Sequence, residues 1–515
     1  MWLSKTKRIA RYNGAIRFVL NSMFKSFPIR IFIIALALRL IPVLPSRGMG
    51  IGLDDMFQYD MLARSLSQEH GFRWYAQVDL DRFASFLDFD LSSLKDYDPS
   101  LGIPTSFRAP LYPAFLAVVY FFSGTGFSRF FAARLAQAVF LGAPLAPLTY
   151  LVALRLSSFL FPDEVEEERR KKIGRIARIA AWIVAAYPLL LVYPLGLGTE
   201  NPFFVLLLAS FLLLLLSIEK PTALNFLFSG LLLGLTTLTR SVILPFAGLA
   251  VLWAWFILKQ KRGAILVAIA FTLTIAPWII RNSLLHHKLT GIETSMGYNL
   301  YLGYHPMGNG SFVFGPSLDL LTILDDAERD KVGTEKAIEF IKTEPERVVP
   351  LAVNRLGYFF GLEKRVLIYF YSNNIIGFVP LPLLLTIASI LLLPFVVISA
   401  SASLGLALLR WKPEHLLLGL LFVSYILPHV FILSEDRFHL VLVPYIAILA
   451  TQFWVTGFGG LSARWHESMA GKILVTLGVV CALLLLLNWG IELARDWDKI
   501  AQLLGPNGNE SYFPY

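Results

Sequence analysis

Charge is scarce and cysteine almost absent in this 515-residue chain. Asp, Glu, Lys and Arg make up 16% of it, against 56% hydrophobic residues and a mean hydropathy of +0.64. That balance excludes an ordinary soluble globular protein. The single cysteine, Cys481, lies inside an apolar run, which excludes an intrachain disulfide and a cysteine metal site. His286, His287, His305, His429 and His439 show no metal-binding spacing, so no metal and no cofactor is required by the sequence. There are no internal repeats and no low-complexity tracts. Nor does the net charge of +9 call for nucleic acid, because basic residues held at the cytoplasmic face of a membrane account for it.

What is abundant is uncharged apolar sequence. Runs such as 201–217, 241–258 and 473–488 approach the length that spans hydrocarbon, which implies an all-α polytopic membrane protein. Residues 1–27 are basic (Lys5, Lys7, Arg8, Arg11, Arg17, Lys25) and too long and charged for a cleaved signal, so they are expected to be a retained cytoplasmic segment. The first span is expected at 28–45. Residues 46–110 carry ten acids against six bases and are assigned to the outer side, within a loop region extending to 128. Arg169, Arg170, Lys171, Lys172, Arg175 and Arg178 place 162–178 inside. An odd number of crossings must then separate the two. The run 111–122 is too short to span and is expected as a helix buried in the interface, leaving one long bent helix over 130–160.

Further spans are expected near 178–195, 202–218, 223–240, 242–258 and 264–281, completing a transmembrane core over 129–281. A second outer region, 282–373, starts glycine-rich and aromatic and continues as helix over 325–360, interrupted at Pro345. Spans near 376–400, 415–433, 437–457 and 472–490 make up the C-terminal part, 374–490, and 491–515 is an outer-face tail. The total is about eleven crossings, or thirteen if 110–162 crosses three times.

Polar residues gather at the outer ends of these helices. Asp54 and Asp55 follow the first span, and Tyr59 and Ala63 follow Asp55 at helical spacing, so the pair caps a short surface helix. Arg108 precedes the short apolar helix, Glu200 opens a span, and Arg240 and Arg281 close two others. Charges at helix ends are common because long side chains snorkel to the interface. Three arginines on the outer side are less common, and together they suit an anionic headgroup. A polyprenyl phosphate would supply that anion for Arg108, Arg240 and Arg281, and a tail for an apolar groove. A carboxylate opposite them would act as base on an acceptor hydroxyl. Glu200 would orient the acceptor or pair with an arginine. The loop of Tyr298, Asn299, Tyr301 and His305, with its glycines, suits substrate binding. For Arg437, in Glu-Asp-Arg before a span, an ion pair is preferred to a donor contact.

These motifs, in this order, resemble a family. Asp55 with Tyr59, Arg-Ala-Pro-Leu-Tyr-Pro from Arg108, Glu200, Gly-Leu-Thr-Thr-Leu-Thr-Arg240, Ala-Pro-Trp-Ile-Ile-Arg-Asn282, Asn-Leu-Tyr-Leu-Gly303 and Arg437 before Pro444 carry the likeness. The chain is similar to GT-C membrane glycosyltransferases related to protein O-mannosyltransferases and lipid A aminoarabinose transferase. The resemblance implies Asp55 as the acid–base residue, with Asp54 as the alternative, since the family commonly has Asp-Glu here. It implies Arg108 on the donor phosphate. Phe107 stands where the aminoarabinose branch has an acid, so that branch's metal site and sugar are not carried over. The expected activity is an inverting transfer of a hexose or pentose from a polyprenyl-phosphate donor to a lipid, glycan or protein acceptor. It would occur at the outer face of the inner or plasma membrane. A transporter or lipid flippase is the rival, although such proteins tend to show inverted repeats and broken helices meeting at the midplane.

Overall fold

In the computed structural model, residues 26–83, 91 and 97–511 are described; the basic segment 1–25 and the acids Asp88, Asp90 and Asp96 lie outside them. Among the described residues, eight helices are long and apolar enough to cross a membrane: Phe27–Gly48, Arg129–Leu156, Glu200–Glu219, Lys261–Leu285, Leu381–Leu408, Pro413–Phe431, Phe438–Glu467 and Met469–Arg495. A ninth is a pair, Glu166–Ala186 and Pro188–Leu195, bent by 52°. The chain is thus an all-α polytopic membrane protein. All eleven expected spans are helical, but those at 223–240 and 242–258 form the shorter helices Ala223–Thr237 and Ser241–Ile257. Fifteen residues reach only about 22 Å.

Two buried arginines explain the irregular places. Pro188 has no N–H to give the carbonyl of Val184, four residues earlier, so the helix breaks there. Arg39, wholly buried in the first span, donates instead to Val184 (3.3 Å) and Ala185 (3.4 Å). It passes beside Gly142, where a Cβ would sit 2.7 Å from its Cδ and Nε. Gly142 ends the π-helical turn Gln137–Gly142 that interrupts the long helix Arg129–Leu156. Arg134, also buried, donates to the carbonyls of Ser46 (3.1 Å), Met49 (2.5 Å), Gly50 (2.6 Å) and Leu195 (2.9 Å). It thereby fixes the chain that leaves the first span toward Asp54.

The first loop region contains helix Asp55–Ser67, the two-residue strands Arg73–Trp74 and Ile103–Pro104 paired antiparallel, and helix Leu111–Ser123. Tyr112, Leu116 and Tyr120 of the last are buried, while Val118, Phe121 and Phe122 stay exposed, the one-sided pattern of a helix half-sunk in an interface. In the second region, helices Asp326–Thr343 and Val348–Phe359 are separated at Pro345 as the pattern predicts.

The expected glycine-rich binding loop is different. Residues Met296–Tyr304 form a helix, and its glycines serve backbone contact. A Cβ on Gly297 would lie 1.8 Å from the Asp330 carbonyl oxygen, and one on Gly303 would lie 1.9 Å from that of Ile432. Helix Phe438–Glu467 is almost wholly enclosed by the others, whereas Met469–Arg495 is largely exposed on the bundle's outside.

Gly230 and Gly234 allow Ala223–Thr237 to close on Lys261–Leu285 in a small-xxx-small contact, with a Cβ at Gly230 falling 2.3 Å from the Val267 oxygen. Gly230→Leu is therefore expected to cost about 3 kcal/mol or more through overpacking. Thermal unfolding in detergent should show a clear drop in midpoint. Gly248→Ala, at a position with open space around it, should leave the midpoint unchanged or raised.

Candidate active site

Six separate parts of the chain bring charge to one place. Asp54 caps helix Asp55–Ser67, its Oδ1 accepting from the Met56 N–H at 2.9 Å. That commitment leaves Asp55, the first helical residue, to face outward from the cap. Asp55 Oδ1 accepts from Arg108, and its Oδ2 lies 3.5 Å from Arg437 Nη2. Arg108 also donates to Gln58 Oε1 (2.8 Å), one turn along the same helix, and its guanidinium lies 5.3 Å from the Tyr59 ring. Glu200 opens its span and binds Arg240 at 2.6 Å, with Arg437 Nε 3.8 Å from the same oxygen. Arg437 pairs at 2.7 Å with Glu435, and Arg365 lies 3.3 Å from both Glu435 and Asp436. The result is a continuous chain of alternating charge, Arg108–Asp55–Arg437–Glu200–Arg240, with Glu435, Arg365 and Asp436 branching from Arg437.

The electrostatics follow from this packing. Burial alone would push the Asp55 carboxyl up, although 39% of its side-chain surface remains open. Arg108, Arg437 and Arg240 outweigh that effect and hold it at about 2, below its ordinary 3.8. In turn, burial disfavours the charged guanidiniums of Arg108, Arg240 and Arg437, but the surrounding carboxylates hold all three above their ordinary range.

Asp55, Arg108, Glu200, Arg240 and Tyr59 therefore meet, with Asp54 adjacent as a helix cap. Tyr298 borders them, its ring 5.6 Å from that of Phe107 and its hydroxyl on the Ser317 carbonyl. Arg281 stands apart: it donates to the carbonyls of Thr105 (2.5 Å) and Phe72 (3.3 Å) and packs on Trp278. Tyr301 gives its hydroxyl to Asp319 and packs on His305 and Phe340. His305 accepts from the Met307 N–H, and Asn299 makes none of the described contacts to the cluster. Tyr301, on helix Met296–Tyr304, and His305, at its end, instead pack on Phe340 of the helix Asp326–Thr343.

The ion pair expected for Arg437 is present, with Glu435 at 2.7 Å, but its contacts to Asp55 and Glu200, and the parts played by Gln58 and Arg365, are not among the expectations from sequence. The available signal was position: Gln58 is three residues beyond Asp55 on one helix face, and Glu435-Asp436-Arg437 immediately precedes the central span. Among the described residues, no group of three or more His, Cys, Asp or Glu is placed to hold a metal ion.

Neither a protein-family model nor a curated protein sequence matches the chain. Among solved structures, a crystal structure of ArnT from Cupriavidus metallidurans bound to undecaprenyl phosphate is similar at 13% identity. The likeness covers 84% of this chain and 79% of that one, with a TM-score of 0.35. So remote a likeness leaves the functional conclusion to the chemistry of the site.

Because Asp55 titrates below its ordinary value, its ionised form stabilises the fold above about pH 4, and that contribution is lost as pH falls through about 2. Asp55→Asn should therefore unfold at lower temperature than the unsubstituted protein at pH 7. The gap should narrow as pH falls from about 4 toward 2, as thermal unfolding across pH would show. A gap independent of pH would contradict the depressed titration.

Proposed function

We propose that this protein is a membrane glycosyltransferase that takes a sugar from a polyprenyl-phosphate carrier and passes it to a hydroxyl-bearing acceptor at the outer face of the membrane. The observation that carries the proposal is the direct contact of Asp55 with Arg108, inside a cluster whose charges balance. Four guanidiniums (Arg108, Arg240, Arg365, Arg437) are paired with four carboxylates (Asp55, Glu200, Glu435, Asp436). A balanced cluster accepts one further negative charge most readily by exchange. The phosphate of a sugar-1-phosphate diester carries one, and it would take Asp55's place on Arg108.

That exchange also prepares the chemistry. A carboxylate held at about 2 is a weak base. Once the phosphate occupies Arg108, Asp55 loses the partner that depresses it most and becomes more basic. It then removes the proton from the acceptor hydroxyl as the oxygen attacks the anomeric carbon. The bond from that carbon to the phosphate oxygen breaks, its electron pair stays on the phosphate, and the arginines stabilise the charge. One displacement inverts the configuration. Glu200, holding Arg240 and reaching toward Arg437, keeps these guanidiniums aimed at the same point. The acceptor class, lipid, glycan or protein, is the partner to be identified, and the sugar is a hexose or pentose. The acid excess of 46–110 and the basic segment 162–178, on opposite sides of an odd crossing, support an outer-face site.

The test separates binding from chemistry. In nanodiscs, Arg108→Gln should bind polyprenyl phosphate about tenfold more weakly or worse, having lost a charge-assisted contact. Asp55→Asn should bind it at least as tightly as the unsubstituted protein, because the competing carboxylate is gone. Mass spectrometry of lipids and glycans from cells should then show transfer reduced about 100-fold or more for Asp55→Asn. An unchanged glycan profile would sink the assignment of the base.

A further inference from the structure

Arg108 sits in a short non-helical stretch between Pro104 and Pro110, and the polar groups of Thr105 and Ser106 there are met by other loops. The Thr105 N–H donates to the Phe72 carbonyl (3.2 Å), and the Thr105 carbonyl accepts from Arg281 (2.5 Å). The Ser106 carbonyl accepts from the Thr294 N–H (3.0 Å), and the Ser106 hydroxyl lies 2.6 Å from His286 Nε2. At the centre is Asp326, the first residue of helix Asp326–Thr343 and itself buried. A single oxygen, Oδ2, accepts from the Thr105 hydroxyl (2.5 Å) and the Ser106 N–H (2.7 Å). The Thr105 hydroxyl oxygen in turn accepts from the Phe107 N–H (3.0 Å). The other carboxylate oxygen, Oδ1, accepts from Arg329 at 3.0 Å. The Arg329 guanidinium lies 5.1 Å from the Phe107 ring, as does that of Arg108.

We infer that Asp326, acting through Thr105, is a positioning residue that sets the Arg108 guanidinium for the donor phosphate. This inference rests on the function proposed above. The chain of bonds runs from Asp326 through the Thr105 hydroxyl to the Phe107 N–H, one peptide from Arg108. A buried ion pair such as Asp326–Arg329 contributes little to stability by itself. Here its carboxylate spans 221 residues of sequence to register the two loop regions against each other. The same stretch is tied at its far end, where the Leu111 N–H donates to the Leu238 carbonyl, two residues before Arg240. The register of Arg108 is therefore specified from both sides, by the second loop region and by the segment that carries Arg240.

Thr105→Val keeps the side chain's shape and removes the hydroxyl link; Thr105→Ser keeps the link. The full-length protein in nanodiscs is titrated with polyprenyl phosphate and with the uncharged polyprenol of equal length. Thr105→Val and Asp326→Asn should bind the phosphate about tenfold more weakly, the scale of a displaced contact group. Polyprenol binding should be unchanged, and Thr105→Ser should bind the phosphate as the unsubstituted protein does. Should Asp326→Asn fail to fold, Thr105→Val decides alone. Phosphate binding equal to that of the unsubstituted protein in Thr105→Val, or equal loss for phosphate and polyprenol, would overturn the positioning role and leave the glycosyltransferase proposal standing. Failure of the unsubstituted protein to prefer the phosphate over polyprenol would overturn both.

Discussion

Guanidinium groups buried among helix ends cannot remain without partners, and this requirement organises the loop end of the bundle. Arg108, Arg240, Arg365 and Arg437 come from four different parts of the chain, and each is met by a carboxylate from another. Because removing any one charge leaves its partner buried and uncompensated, the members are interdependent. Arg437 is the hub, with Asp55, Glu200 and Glu435 around it. It stands immediately before Phe438–Glu467, the most enclosed of the candidate spans, so the residue with most charged partners in the cluster adjoins the best-buried helix.

A network of this kind also constrains what it can bind. Its pairs are close to balanced, so a ligand gains little from net field and must instead replace a member. The replaceable member is the one with the most open surface. Glu200 and Glu435 are sealed, while the Asp55 side chain remains 39% open and shares Arg108 with only the neutral Gln58 among the described hydrogen bonds. Under the proposed function, binding and activation of the base would be one event, since a phosphate on Arg108 would displace the guanidinium that most depresses Asp55.

Much of this was legible in the sequence because it depends on position along a helix. The spans, the interfacial helix Leu111–Ser123, the break at Pro345 and the placing of Asp55, Arg108, Glu200 and Arg240 at helix ends all follow from apolar run length and local chemistry. What was not legible depends on reach across the fold. Arg281 ends a span just as Arg240 does, but its guanidinium goes to the carbonyls of Thr105 and Phe72, a destination set by where the first loop folds. Gly297 and Gly303 looked like loop glycines because close helix packing and loop flexibility ask for the same residue. Asp326 carried no sign at all, since an acid at a helix start is ordinarily explained by the dipole.

Helix Asp55–Ser67 shows how the same chemistry divides between structure and function. It carries two carboxylates, Asp55 and Asp60, and both meet arginines. Five residues on a helix turn the side chain about 140°, so the two face different surroundings. Asp60 is fully buried and saturated: Arg129 binds it at 2.7 and 2.9 Å, Arg64 at 2.9 Å, and the Tyr120 hydroxyl at 3.0 Å. With no open surface it can only hold the helix against Leu111–Ser123 and the start of the long span. Asp55 is anchored by that scaffold yet keeps an open side, with 39% of its side-chain surface exposed. Access, rather than residue type or charge, separates the acid that fixes the helix from the acid that can meet a substrate.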